Sequence, residues 1–360
     1  MKVTALETVV VDVPLAKLVG TAIHAMRSVG CVLVKVACDD GVVGQSYIFA
    51  LNGDRVRSLD EMVQGFADFV VGRDPHDSEG IWHDVWAAMN AMGHRGVTVS
   101  ALSAIDVALW DAVGKRHEMP LHKLWGGCRD RVDAYATTGL WLTQSIEELV
   151  AEAAAFIDQG FRAMKMRIGS ERADDDVERV GAVRDAIGPD IDLYVDANQG
   201  FTPKQAIRLG RRLEEFNLAW FEEPVAAYDL TGHAQVRAAL DIPIASGETE
   251  YTRYGMAAMI DASAADVLMP DLQRIGGFSE FRKASALAAA NNIAVSSHFF
   301  TEQSLCLAGS LHNCGLVEHC DWFAPLFNED VELADGQLVV PDRPGTGFTF
   351  DEEALKRYAI

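Results

Sequence analysis

After about Val132, short apolar runs that end on polar residues recur along the chain, and this rhythm leaves few folds open. The polar residues that mark the ends stand at 165, 196, 222, 248, 271, 298 and 318, separated by 31, 26, 26, 23, 27 and 20 positions. A strand of about five residues, a helix of about eleven and two loops need roughly that length. The runs include Ala163-Met164-Lys165-Met166-Arg167, Leu193-Tyr194-Val195-Asp196, Ala219-Trp220-Phe221-Glu222 and Pro243-Ile244-Ala245-Ser246. Val267-Leu268-Met269, Ala294-Val295-Ser296-Ser297 and a short Gly315-Leu316-Val317-Glu318 follow. Amphipathic helices are predicted between them; the first opens on a capping box, Ser145 with Glu148, and closes at Gly160. Alternating units of this kind predict an α/β fold, a (β/α) barrel, whose C-terminal strand ends carry the chemistry.

The first ~125 residues read differently, as an α+β segment. Val3 to Val13 and Cys31 to Ala37 are β-rich, Gly41-Val42-Val43-Gly44 marks a turn and a short strand, and helices are expected around Ser58 to Val71 and Thr98 to Lys115. This predicts an α+β domain over residues 1–125, a barrel over 126–325, and a tail, 326–360, that packs back on the first domain.

With 49% apolar and 23% charged residues among 360, the chain has ample core for this. A formal net charge of −22 excludes a nucleic-acid partner and otherwise serves solubility. An anionic substrate then needs locally positive groups. The six cysteines form no C-x-x-C pair and read as reduced thiols of a cytosolic protein. No apolar signal core follows Met1, and no stretch of 18 uncharged apolar residues is present, so a cytoplasmic protein without a membrane span is expected. The expected partners are a small-molecule substrate and further copies of the chain.

Three acids mark neighbouring strand ends: Asp196 in Val-Asp-Ala-Asn-Gln, Glu222 in Phe-Glu-Glu-Pro and Glu248 in Ser-Gly-Glu. Any one of them alone reads as a surface or capping residue. Brought together by a barrel, they read as oxygen ligands of a hard cation, Mg²⁺. His298 and Asp271 end adjacent strands, which places a carboxylate beside one ring nitrogen and makes the other a candidate base. Lys165 and Arg167 lie two apart on one strand and point to the same, interior face, where an anion would satisfy both.

On these motifs, together with Gly41-Val42-Val43-Gly44-Gln45-Ser46-Tyr47 and Ile105-Asp106-Val107-Ala108-Leu109-Trp110-Asp111, the chain resembles the mandelate racemase subgroup of the enolase superfamily over nearly its whole length. The resemblance implies a capping domain over a (β/α)₇β barrel, with the active site between them. It implies Mg²⁺ on Asp196, Glu222 and Glu248, a His298–Asp271 dyad, Glu318 on the substrate carboxylate and Asn198 near the metal and the 2-hydroxyl. The stretch from Val19 to Val29 resembles the family's mobile flap, and its His24 and Arg27 are expected to meet the substrate.

The second strand departs from the family's Lys-x-Lys: it reads Lys165-Met166-Arg167. A guanidinium keeps its proton below about pH 12 and is a poor base. Racemisation needs proton transfer on both faces of a planar enediolate, whereas dehydration needs one. The expectation is therefore Mg²⁺-dependent α-proton abstraction from a 2-hydroxy carboxylate, leading to dehydration of an acid sugar, aldonate or aldarate, to a 2-keto-3-deoxy acid. The alternatives are a racemase or epimerase of a 2-hydroxy acid and a non-catalytic protein on the same fold.

Overall fold

The computed structural model describes residues 1–360. Two sheets organise it. The first is antiparallel, with β1 (Val3–Gly20), β2 (Ala25–Cys38) and β3 (Val43–Leu51) in that order. The helix Val97–Arg116 lies against it, closely enough that a Cβ on Gly44 would come within 2.0 Å of the Ala108 carbonyl oxygen. This helix is long and apolar enough to cross a membrane, yet 89% of its apolar window is buried inside the fold.

The second sheet is the predicted barrel. Its strands are β4 (Arg131–Ala136), β5 (Ala163–Arg167), β6 (Asp192–Asp196), β7 (Trp220–Glu222), β8 (Ile244–Ser246), β9 (Val267–Leu268), β10 (Ala294–Ser297) and β11 (Leu316–His319). They pair in sequence order, all parallel, and β11 pairs back onto β4. Helices alternate with the strands, giving the (β/α)₇β order.

Side chains alternate across the barrel wall, as the pleat requires. On β5, Met164 and Met166 pack outward with Val180 and Val183 of the next helix, which leaves Lys165 and Arg167 inside. Below them Tyr135, Tyr194, Trp220 and Met269 fill the barrel interior. In-register pairing sets Arg167 beside Asp196 and Asp196 beside Glu222.

The structure revises several expected boundaries. The Ser58–Val71 helix is broken at Phe66 into Val56–Gly65 and Ala67–Val70. β8 stops at Ser246, so Glu248 lies beyond it, after Gly247 in the left-handed region (φ +131°). β9 is two residues long, and Asp271 instead caps the short helix Leu272–Ile275; a single bridge still joins Asp271 to His298. The flap expected over Val19–Val29 is mostly strand, because β1 runs to Gly20 and β2 starts at Ala25. Only Thr21 to His24 form the tip.

Two sets of polar contacts fix β3 to the barrel. The Tyr47 hydroxyl donates to Glu302 at 2.9 Å. Gln273 accepts from the Phe49 N–H at 2.8 Å and donates to its carbonyl at 3.2 Å. The tail makes two attachments. β12 (Leu333–Ala334) and β13 (Gln337–Val339) form a hairpin whose second strand pairs antiparallel with Arg131–Asp133 of β4. The last residues reach the first sheet, where the Ile360 N–H donates to the Val10 carbonyl at 3.1 Å.

Candidate active site

A cavity with about 70 Å³ of water-accessible space opens between the β1–β2 hairpin tip and the C-terminal ends of the barrel strands. Lys165, Arg167, Asp196, Asn198, Glu248, Arg274 and His298 supply its polar floor; Thr21 and His24 line it from the hairpin tip. Met26, Phe49, Leu51, Trp141, Phe299 and Trp322 form the rest of the wall.

Lys165 is the hub of the floor. Its ammonium lies 2.7 Å from Glu222, 2.8 Å from Glu318 and 3.6 Å from Asp196, and all four side chains are buried. Burial works against the charged amine, but the three carboxylates outweigh it and hold the Lys165 pKa above its ordinary value. Glu318 is fixed as an acceptor: the Phe299 N–H donates to it at 2.9 Å. Burial would raise its pKa, and Lys165 with His298 overcomes this and keeps it low.

His298 and Asp271 meet as expected. The Nδ1 of the ring sits 2.6 Å from Asp271 Oδ2, which turns Nε2 to the cavity, 3.2 Å from Glu248. Burial disfavours the charged ring, yet Glu248, Asp271 and Glu318 together raise its pKa to about 9.

Arg167 is committed to the loop after β4. One terminal nitrogen donates to the Thr137 carbonyl and, at 3.3 Å, to that of Gly139; the other donates to the Thr137 hydroxyl at 2.9 Å. The guanidinium lies 4.3 Å over the Trp141 ring. Its Nε is buried without a partner, 4.0 Å from Asp196. Asn198, with φ +42°, folds back so that its N–H and side-chain amide donate to Asp196 at 2.8 and 3.1 Å. Its Oδ1 is buried and unpartnered.

The donors suit a hard divalent cation. Asp196, Glu222, Glu223 and Glu248 are all-oxygen groups in one region, and the buried Glu222 and Glu223 have raised pKa values, first from burial, with Asp196 and Glu248 adding to it and Lys165 opposing it at Glu222. The unpartnered Asn198 oxygen adds a neutral donor of the same kind. As the side chains stand, no three acids form a closed ligand set, because Lys165 draws Asp196 and Glu222 to itself while Glu248 turns to His298. This departs from the expected direct convergence of Asp196, Glu222 and Glu248. Three like charges relax onto the nearest counter-charges.

Of the two flap residues, the structure brings only one to the site. His24 lines the cavity, and burial lowers its pKa. Arg27 does not: it faces away, its guanidinium 3.4 Å from Asp54 and largely exposed. On a strand, side chains alternate, so with Met26 turned in, Arg27 turns out.

Sequence reasoning missed Arg274, Thr137, Trp141 and Trp322. Arg274 donates to the Glu248 carbonyl at 2.8 Å and lies 3.9 Å from Asp271. Its position three residues after a dyad acid, one helical turn along, was the available signal. Trp141 and Trp322 stack with ring centroids 5.6 Å apart, from loops 181 positions apart in sequence. No local pattern announces such a pair.

Residues 148–354 match the family described as "Enolase C-terminal domain-like", and residues 5–126 match "Mandelate racemase / muconate lactonizing enzyme, N-terminal domain". The chain belongs to this enolase-superfamily group. Among its curated relatives, the L-talarate/galactarate dehydratase of Salmonella typhimurium is 38% identical over 92% of this chain and 83% of that protein. The D-galactarolactone cycloisomerase of Agrobacterium fabrum is 34% identical over 100% and 99%. A crystal structure of the Salmonella dehydratase, liganded with Mg and L-lyxarohydroxamate, superposes with a TM-score of 0.95 at 35% identity, covering 100% of this chain and 93% of that one.

Proposed function

We propose that this protein is a Mg²⁺-dependent acid sugar dehydratase that converts an aldonate or aldarate to a 2-keto-3-deoxy acid. The observation that carries the reading is the His298–Asp271 pair, 2.6 Å apart, with the other ring nitrogen turned into the cavity beside Glu248. The family relationship supports it, since the relatives include dehydratases of this class.

Asp196, Glu222 and Glu248 would hold the cation, with Asn198 beside them. Bound there, Mg²⁺ polarises the substrate carboxylate and stabilises the charge that develops on it. His298 Nε2 takes the α-proton, and the C–H electron pair becomes the C=C bond of an enediolate. Lys165 and the Arg167 Nε face the region where the negative charge develops. The enediolate then expels the 3-hydroxyl: the C–O bond breaks, and the oxygen leaves as water with the proton His298 returns. The resulting enol takes a proton at C3 and becomes the 2-keto acid. Asp271 keeps the ring oriented. Replacing it with asparagine should slow turnover by about 10- to 100-fold, measured as kcat with metal binding unchanged.

The direct test is a screen of acid sugars with Mg²⁺, scored for 2-keto-3-deoxy acid, beside racemisation assays on 2-hydroxy acids. Dehydration supports the reading; racemisation without dehydration overturns it in favour of a racemase. A stereochemical prediction accompanies it. With Arg167 spent on Thr137 and Gly139, the unmodified protein should exchange the α-proton of one configuration only, with retention, as read by proton NMR in D₂O. Arg167→Lys should then introduce weak exchange at the opposite face, because a lysine can lose its proton where an arginine does not. Rapid interconversion of both configurations by the unmodified protein would remove the one-base mechanism.

A further inference from the structure

We infer that the cavity selects an acid sugar with a single carboxylate, an aldonate rather than an aldarate, and lays its carbon chain along the Trp141–Trp322 wall. The inference rests on the dehydratase reading above and narrows its substrate class.

A diacid places its second carboxylate at the far end of the chain from the reacting carbon, and burying it there is costly unless a counter-charge or donors receive it. The cavity's permanent cations are Lys165, Arg167 and Arg274, and all three belong to the floor. Each is already committed there. Lys165 is held by Glu222 and Glu318, Arg167 by Thr137 and Gly139, and Arg274 by the Glu248 carbonyl.

The hairpin strands carry Lys17, Arg27 and Lys35, and Arg179 donates to the Trp141 and Arg167 carbonyls from behind; none of the four lines the cavity. Arg27 is turned to Asp54 outside the hairpin. Lys17 borders a separate cavity on the other side of the tryptophan pair and lies 3.5 Å from Glu152.

The wall that rises from the floor is mainly apolar. Trp141 and Trp322 stack nearly parallel, with 13° between ring planes, and Phe299 meets Trp322 edge-on at 5.6 Å. Met26, Phe49 and Leu51 continue this surface. The polar groups set into the distal wall are Thr21 and His24. A hydroxyl and an imidazole can exchange hydrogen bonds with sugar hydroxyls, while the apolar side chains border the C–H groups of the chain. Such a wall receives a polyol that ends in a hydroxymethyl group. It has no fixed partner for a terminal carboxylate. The Salmonella relative is named for diacids, so on this point the two proteins would differ.

The test uses the full-length protein with Mg²⁺ and matched pairs: five- and six-carbon aldonates, each against the aldarate of the same configuration, with kcat/KM read from 2-keto-3-deoxy acid formation. The expected result is an aldonate preferred over its matched aldarate by about 100-fold or more. An aldarate turned over within tenfold of its aldonate, or faster, overturns the inference and leaves the dehydratase reading standing. Failure of every acid in the panel to dehydrate, with α-proton exchange on other 2-hydroxy acids, overturns both.

Discussion

Replacing His298 with asparagine is expected to lower α-proton exchange in D₂O by about 10³-fold or more, within the range by which a positioned acid–base group accelerates proton transfer. Asparagine has nearly the volume of the imidazole's inner half, and its amide can still donate to Asp271, so the 5% exposed pocket around the residue need not collapse. What it lacks is a basic nitrogen at the Nε2 position. Mg²⁺ binding and circular dichroism should be unchanged, which separates loss of the base from loss of the fold. Exchange at the rate of the unmodified protein would move the base to Lys165, the amine on the floor. The present geometry argues against that, since the Lys165 ammonium is clasped by Asp196, Glu222 and Glu318, whereas the His298 Nε2 is turned into the cavity.

Removing divalent metal should be as severe. Excess chelator is expected to abolish turnover, a loss of about 10³-fold or more, and added Mg²⁺ to restore it. The fold should survive the treatment, because its cohesion comes from three large apolar clusters of 38, 26 and 25 buried residues lying outside the acid cluster. Activity and thermal unfolding measured on the same stripped sample distinguish the two effects. Full activity in excess chelator, with no metal found in the protein, would refute the roles proposed for Asp196, Glu222 and Glu248.

The barrel was legible because its signal is periodic and local: each strand is a short apolar run, and closure makes the run ends neighbours. The same logic reached His298 and Asp271, whose pairing needs only adjacent strands. It failed where geometry depends on side-chain direction or on distant loops. Arg27 looked like a substrate contact because a basic residue sat in a presumed loop, but the segment is a strand and its alternation turns Arg27 to Asp54. Nothing local in the sequence places the Lys165 ammonium and the Phe299 N–H together on Glu318. Trp141 and Trp322 could not be paired from sequence, since their stacking comes from closing the barrel.

That closure carries a cost in time. The first barrel strand, Arg131–Ala136, is bounded on one side by the last, Leu316–His319, and Arg131–Asp133 also pairs with Gln337–Val339. During synthesis, an emerging chain therefore holds an open, unpaired parallel edge until Leu316–His319 has left the ribosome. Closing a loop of that length delays the reward for every contact beneath it, and exposed edges of this kind invite pairing with other chains. Nascent forms that stop short of Leu316–His319 should be chaperone clients with no catalytic centre, because the seam that brings Glu318 to Lys165 cannot close before those residues are made.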